Sequence, residues 1–424
     1  MSEYEIRDPV YGFITFNEWE KEIINHPVFQ RLRRIKQLAL TDMVYPGATH
    51  TRFEHSLGVM HLATKMYDAI TRDDSNKRLL AEKLEYQESG LKRDRQLVRL
   101  AALLHDVGHA PFSHASEAII SKNPVTGKPY KHEDYTSVLI KGPLRTVIED
   151  HGINKTNFSI TADDIAALIE GNPEILGERV FWRLIISSQL DADRGDYLLR
   201  DSLHCGVKYG IYDLDRLLVT MALGIDPETE DVILGLTEGG WHVAESLVIA
   251  RYQMFSQIYF HKTRRAYDYM LQEAIKNAVG TLPVPDEIQK YLGLDDYEVW
   301  HQLKNKGNDF WYGSIVSRNH IRKVFSIEEV STSQDVAVLD KIKTEFDEKD
   351  IWYWEDVAKK EWYKMNSDGA GKDEIMIIGN HKGVTPLRKY SRIVKNIGES
   401  RRYRLYVQPN DRDDAETIIK EAKG

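Results

Sequence analysis

A short ordered series of histidines and aspartates carries the chemistry that this chain could do. His55 stands in His50-Thr51-Arg52-Phe53-Glu54-His55-Ser56, the pair His105-Asp106 in Leu103-Leu104-His105-Asp106-Val107-Gly108-His109, and Asp193 in Leu190-Asp191-Ala192-Asp193-Arg194. Imidazole nitrogens mixed with carboxylate oxygens suit a divalent metal ion. Such an ion lowers the pKa of bound water and neutralises charge on phosphoryl oxygens, so the chemistry to expect is hydrolysis at phosphorus. A lone His-Asp dipeptide is common and says little. The ordered set says more, because a metal is one way to satisfy several buried polar groups together.

The elements that must position these groups are helices. Val59, Leu62 and Met66 follow His55 at helical spacing, which predicts a helix over 53–70 with His55 on its buried stripe. The run Leu97-Val98-Arg99-Leu100-Ala101-Ala102-Leu103-Leu104 predicts a buried helix over 96–107, stopped by Gly108 and Pro111. Adjacent helical residues point about 100° apart, so His105 and Asp106 converge on one ion only near a helix end. A third helix is predicted over 180–203, where Asp193, Tyr197 and Asp201 recur every fourth residue and share one side. Four protein ligands leave positions for water and a substrate phosphate.

Other polar groups cluster after the His-Asp pair: His109 and His114 in His109-Ala110-Pro111-Phe112-Ser113-His114, then His132-Glu133. They read as groups directed at a phosphate chain, since a histidine can stabilise phosphoryl oxygens or protonate a leaving group. Glu133 is placed to hold His132 protonated. His50 and His61 read as structural. Arginine forks suit phosphate oxygens, and Arg52, Arg194, Lys262, Arg264 and Arg265 are the candidates, with Arg52 best placed, one turn from His55.

Composition bounds the rest. The 424 residues allow a large core, the net charge of −9 argues against a protein built to grip nucleic acid, and the single Cys205 excludes an intrachain disulfide and thiolate zinc sites. The N-terminus has no signal-peptide pattern and no apolar run approaches a membrane span, which reads as a soluble cytoplasmic protein. Further helices are predicted over 29–38, with Phe29, Leu32 and Ile35 on one face, from Thr161 to Gly171, and over 240–279. Strand-like runs at 374–378 and 403–407 mark a change of character. The expected architecture is mainly α, a helical core over 1–280 with an N-terminal regulatory segment, then a helical and mixed α/β region over 281–424. The aromatics Trp352, Tyr353, Trp354, Trp362 and Tyr363 there read as core, oligomer interface or a partner surface.

With these motifs in view, the chain resembles the HD-domain deoxynucleoside triphosphate triphosphohydrolases. The likeness is dense from Asp8 to Tyr267. It rests on Phe29-Gln30-Arg31-Leu32-Arg33, Ile35-Lys36-Gln37-Leu38, Pro46-Gly47-Ala48, Arg52 to Val59, Pro111-Phe112-Ser113-His114, and Asp196-Tyr197 through Arg200-Asp201. The resemblance implies His55, His105, Asp106 and Asp193 as ligands of one divalent metal (Mn, Mg, Fe, Zn or Ni). It implies His132, Glu133 and His114 in catalysis, His109 on phosphate, and Arg52 and Arg194 holding phosphates. Arg194 stands where close relatives often carry lysine. Gln37, Asp201 and Tyr267 would bracket the sugar 3′-hydroxyl, with Leu38 and Tyr197 crowding its 2′ side. Water would attack the α-phosphorus of a dNTP, giving deoxynucleoside and inorganic triphosphate.

The same resemblance implies a homodimer or tetramer with nucleotide sites between subunits. Asp8-Pro9-Val10-Tyr11-Gly12 and the Arg31, Arg33, Arg34, Lys36 cluster are where such a site is expected. Asn25 replaces the acidic residue that reads guanine in GTP-activated relatives, and Tyr4 and Phe13 replace polar residues nearby, so activation by GTP itself does not carry over. The alternatives are another HD phosphohydrolase (a nucleotidase, phosphodiesterase or nuclease) or a non-enzymatic nucleotide sensor. The absence of a Glu-Asp pair soon after His105-Asp106 and of a Gly-Tyr-Pro element counts against alarmone hydrolases and cyclic-dinucleotide phosphodiesterases.

Overall fold

The computed structural model describes residues 3–84, 87–226, 229–307, 309–329, 332–361, 374–379, 383–397 and 399–423. Helices dominate, with a smaller α/β part near the C-terminus. A hairpin of Glu3–Asp8 and Gly12–Asn17 opens the chain, its turn closed by Gly12 at φ 80°, a left-handed conformation glycine adopts without Cβ strain. Asn17 and Glu20 then form a capping box that starts the helix Glu18–Asn25.

The His55 helix runs Arg52–Arg72 and buries His55, Val59, Leu62 and Met66. Glu54 reaches back to accept the Thr51 N–H at 2.9 Å, which fixes where the helix begins. It packs along the helix Glu88–Leu104. That second helix starts before the predicted position and stops at Leu104, so His105 and Asp106 lie in the turn just past its end. The helix Ala162–Glu170 has the expected ends: Thr161 caps it and Gly171 closes it at φ 78°.

Two predicted helices are broken. The stretch over 180–203 divides into a tight turn Gly177–Ile185 and a helix Ala192–Cys205, because the Asp191 side chain accepts the Arg194 N–H at 2.7 Å and restarts the backbone there. Asp193 therefore lies in a first turn, with Tyr197 and Asp201 following on the same helix. The stretch over 240–279 becomes Trp241–Met254, a π turn Phe255–Tyr259, and Lys262–Ala278 capped by His261. Over 29–38, helical residues Pro27–Gln30 pass into a tight turn Arg31–Arg34 that still buries Phe29, Leu32 and Ile35.

The expected division near 280 is crossed by the chain. Strands Arg322–Ile327, Glu399–Val407 and Tyr353–Glu361 form an antiparallel sheet with Glu399–Val407 central. Helices Ser333–Glu348 and Arg412–Lys423 share a core with it through Ile342, Phe346, Leu405 and Ile418. Between these strands, Met376–Ile378 returns to pair in parallel with Val232–Thr237, and Ile375, Ile377, Leu387 and Val394 join the N-terminal core. Of the C-terminal aromatics, Trp354 stacks on Tyr269 with ring centres 4.4 Å apart, while Trp362 and Tyr363 lie outside the described residues. No helix among the described residues is long and apolar enough to cross a membrane.

Candidate active site

Three helices deliver the four candidate ligands to one place. His55 Nε2 lies 3.1 Å from Asp193 Oδ1 and 3.7 Å from Asp106 Oδ2. His105 Nε2 lies 3.2 Å from Asp106 Oδ1 and 3.7 Å from Asp193 Oδ1. Asp106 is the hub: Arg52 bonds its Oδ2, and His109 Nε2 lies 3.3 Å from its Oδ1. The far nitrogens of the two ligand histidines are also held. His55 Nδ1 is 2.8 Å from Asp196 Oδ2, and His105 Nδ1 is 2.8 Å from the Ala102 carbonyl. Such partners fix ring orientation and leave Nε2 as the ligating atom.

The electrostatics follow from this crowding. Burial opposes a charge on His55, but the Asp193 and Asp196 carboxylates outweigh it and push its pKa up to about 10. Burial likewise opposes ionisation of Asp106, yet His105, Arg52 and His109 hold its pKa well below the carboxylate range. Burial, reinforced by Arg52, pushes His109 down, so it is neutral. The Asp106 and Asp193 carboxylates are thus ionised, and His55 and His105, unlike His109, are drawn toward the protonated form.

A divalent cation fits this donor set. His55, His105 and Asp106 can each offer one atom to a common ion, and His105 Nε2 is buried with no hydrogen bond among the described residues. Asp196→Asn is expected to weaken metal affinity by roughly 10–100-fold, the usual cost of losing an outer-shell partner. Titration against a competing chelator measures this, and wild-type affinity would remove Asp196 from the site.

A cavity of about 470 Å³ opens beside these groups, lined by Gln37, Leu38, Arg52, Asp193, Arg194, Tyr197 and Asp201. Asp201 is 2% exposed and doubly held, by His50 Nε2 at 2.7 Å on Oδ1 and by the Tyr259 hydroxyl donating at 2.6 Å to Oδ2. Gln37 Oε1 is buried with no hydrogen-bond partner among the described residues. Arg194 folds back to donate to Asp191 Oδ2 at 2.9 Å. His132 stacks on His109 with ring centres 4.0 Å apart, and its Nδ1 lies 3.2 Å from Glu133 Oε2.

The other sequence-predicted residues divide between the cavity and positions away from it. Tyr267 is fully buried against His320, with ring centres 5.2 Å apart, and does not line the cavity; Tyr259, on the preceding π turn, does. Arg264 and Arg265 line the cavity but are bonded to Thr41 and Asp356. Lys262 is absent from the lining. The backbone of His114 lies in the turn Ser113–Ile119, and its side chain is outside the described residues. The Arg31 cluster is dispersed: Arg31 is buried, Arg34 pairs with Asp295, Lys36 pairs with Asp42, and Arg33 lies over the Phe53 ring at 3.5 Å. His50 is buried and holds Asp201 through its Nε2. Sequence reasoning missed Arg251, Tyr259 and Asp268 in the lining. It also gave no ligand-orienting role to Asp196, although spacing of three from Asp193 on one helix was a usable signal.

This fold and site have relatives. Residues 52–175 match the HD domain, and residues 212–421 match the HD associated region. The chain thus carries an HD domain followed by an HD associated region. It is 40% identical over 270 residues to an uncharacterized protein of Methanocaldococcus jannaschii, covering 64% of this chain and 49% of that protein. It is 30% identical over 299 residues to the deoxynucleoside triphosphate triphosphohydrolase SAMHD1 homolog of Dictyostelium discoideum, covering 69% and 53%. The chain spans about half the length of these curated relatives. A hypothetical protein from Aquifex aeolicus has a solved structure that superposes with a TM-score of 0.78 at 29% identity, covering 99% of this chain and 100% of that one.

Proposed function

We propose that this chain hydrolyses deoxynucleoside triphosphates to deoxynucleoside and inorganic triphosphate. One observation carries the reading: the His55, His105, Asp106 and Asp193 group opens onto a cavity walled by Gln37, Leu38, Tyr197 and Asp201, with Arg52 and Arg194 between. The similarity to a protein named as such a triphosphohydrolase supports it.

A divalent ion bound by the four ligands supplies Lewis acidity and charge neutralisation at the phosphoryl oxygens. Arg52 and Arg194 orient the phosphate chain, and neutral His109 hydrogen-bonds it. Water attacks the α-phosphorus and gives up one proton to the surrounding water, the bond from phosphorus to the sugar 5′-oxygen breaks, and that oxygen takes a proton. His132, 3.2 Å from Glu133, donates it, with His114 as its partner in proton transfer. At the sugar, a 3′-hydroxyl donates to Asp201 and meets the Gln37 amide. Asp201 is held for this by His50 and Tyr259, so Tyr259 takes the place that the resemblance gave to Tyr267. The same reading includes a dimer or tetramer activated by a nucleotide, with Arg33 and Arg34 as the exposed arginines of the expected regulatory cluster.

Leu38 and Tyr197 leave no space for a 2′-hydroxyl, which is discrimination by exclusion. Leu38→Ala is expected to raise ribonucleotide turnover relative to deoxyribonucleotide by about 10-fold in the kcat/KM ratio, the size of effect a few buried methylenes give. An unchanged ratio places sugar selection elsewhere.

The reading is tested with the four dNTPs, four NTPs and a single-stranded DNA, each with Mn²⁺ or Mg²⁺, singly and mixed, with products resolved by chromatography. Deoxynucleoside with intact triphosphate supports it. Cleaved DNA with untouched dNTPs moves the assignment to a nuclease, and silence across the panel to a sensor.

A further inference from the structure

Asp296 lies outside the matched HD domain, yet its carboxylate ties together two loops that wall the cavity. Oδ2 accepts the Lys36 N–H at 2.9 Å and Oδ1 accepts the Phe112 N–H at 2.7 Å. The residue is 6% exposed. Its own helix, Asp296–Asn305, does not need it as a cap, because Asp295 accepts the Glu298 N–H at 2.9 Å. Burial pushes the Asp296 pKa up to about 6 against the pull of those two amides. A carboxylate is thus kept in an unfavourable place, where its hydrogen bonds go to remote backbone.

What it holds is strained. Phe112 and Ser113 have φ of 52° and 51°, consecutive left-handed positions that non-glycine residues rarely take. This turn aims the Ser113 hydroxyl so that it accepts from Arg52 Nε at 2.8 Å and donates to the Lys36 carbonyl at 3.3 Å. Arg52 in turn bonds Asp106. On the other side, Lys36 leads directly into Gln37 and Leu38, and Ala39 beyond them is also left-handed at φ 46°. Neighbouring residues reinforce the clamp: Tyr291 donates to the Gly108 carbonyl at 2.8 Å, and Arg31 spans the Leu294 and His109 carbonyls at 2.8 and 2.9 Å.

We propose that Asp296 is a positioning residue that sets the spacing between the Gln37–Leu38 wall and the Arg52–Ser113 floor of the cavity, so that part of the HD associated region completes the substrate site. The inference rests on the proposed function for its choice of substrate. Loss of the carboxylate misplaces substrate and leaves the metal ligands in place.

The test compares full-length wild type with Asp296→Asn, and with Glu298→Gln as a control on the same helix. Asp296→Asn keeps the volume but turns an N–H₂ toward one of the two amide donors. Expected are a KM for dNTP raised about 10-fold or more, a smaller preference for dNTP over NTP, and wild-type metal content; misplacement of about 1 Å can cost 10²-fold. Glu298→Gln is expected to match wild type. Amide hydrogen exchange at Lys36 and Phe112 is expected to accelerate in Asp296→Asn while the helical core stays protected. That readout needs no turnover, so it separates failure of this inference from failure of the dNTP assignment. Unchanged exchange at both amides overturns the inference, as does a lower melting temperature with wild-type KM and sugar preference. If Asp296→Asn does not fold, Asp296→Ser, which can accept from only one amide, is measured instead, and wild-type KM and sugar preference there overturn it.

Discussion

Replacing His105 and Asp106 together by alanine is expected to abolish phosphohydrolysis and bound metal while the helices remain formed. Asp106 touches each functional set: it lies beside His55, His105 and His109, and it pairs with Arg52. Charge stabilisation by a catalytic ion is worth several kcal/mol. At 1.36 kcal/mol per decade, its removal costs about 10³-fold in rate or more. Loss of the Asp106 carboxylate also leaves the buried Arg52 with Ser113 alone, and breaking a buried pair destabilises by roughly 3–5 kcal/mol. Asp106→Asn, which keeps the volume and an acceptor for Arg52, is therefore the companion variant. It should fold and still lose metal and turnover. Elemental analysis, far-UV circular dichroism and product analysis on the same samples check this. Wild-type turnover in either variant places the chemistry elsewhere.

Gly108→Ala is expected to be nearly as damaging without touching a ligand. A Cβ at Gly108 would fall well inside contact distance of the Thr136 N and the His132 carbonyl oxygen, both backbone atoms of the His132 helix. Flexible side chains can move aside, but backbone in a packed helix cannot. The overlap must separate the His-Asp turn from the helix His132–Lys141. That breaks the Gly108 N–H bond to Thr136 Oγ1 at 3.1 Å and the stack of His109 on His132. Overpacking of this kind costs about 1–3 kcal/mol and sometimes more. Thermal melting is expected to drop, and activity is expected to fall further than stability alone explains, because His132 moves relative to Asp106. Wild-type melting and turnover in Gly108→Ala would contradict the close approach. Gly152, where a Cβ meets nothing within 4 Å and the backbone is not left-handed, is the comparison position, and Gly152→Ala is expected to leave activity unchanged.

The parts of the site that depend on local spacing were legible in the sequence. His55 sits on a helical stripe and His105-Asp106 at a helix stop, and both signals are contained within a few residues. Thr161 and Gly171 likewise mark their helix by their own chemistry. The restart at Asp191 was missed because apolar residues continue through Ile185 and Ile186 and mask the cap. The π turn was missed because one extra residue per turn leaves no compositional mark, and that turn places Tyr259 rather than Tyr267 at the cavity. Asp296 was invisible for a deeper reason. Its partners, Lys36 and Phe112, lie 260 and 184 residues away, and a backbone amide carries no side-chain identity from which such a contact could be read.

The most direct test of the proposed reaction is hydrolysis of a dNTP in ¹⁸O-labelled water, with both products analysed by mass spectrometry. Attack of water on the α-phosphorus with loss of the sugar 5′-oxygen is expected to give one ¹⁸O in intact inorganic triphosphate and unlabelled deoxynucleoside. Label in the deoxynucleoside, or release of pyrophosphate or orthophosphate in place of triphosphate, would contradict it.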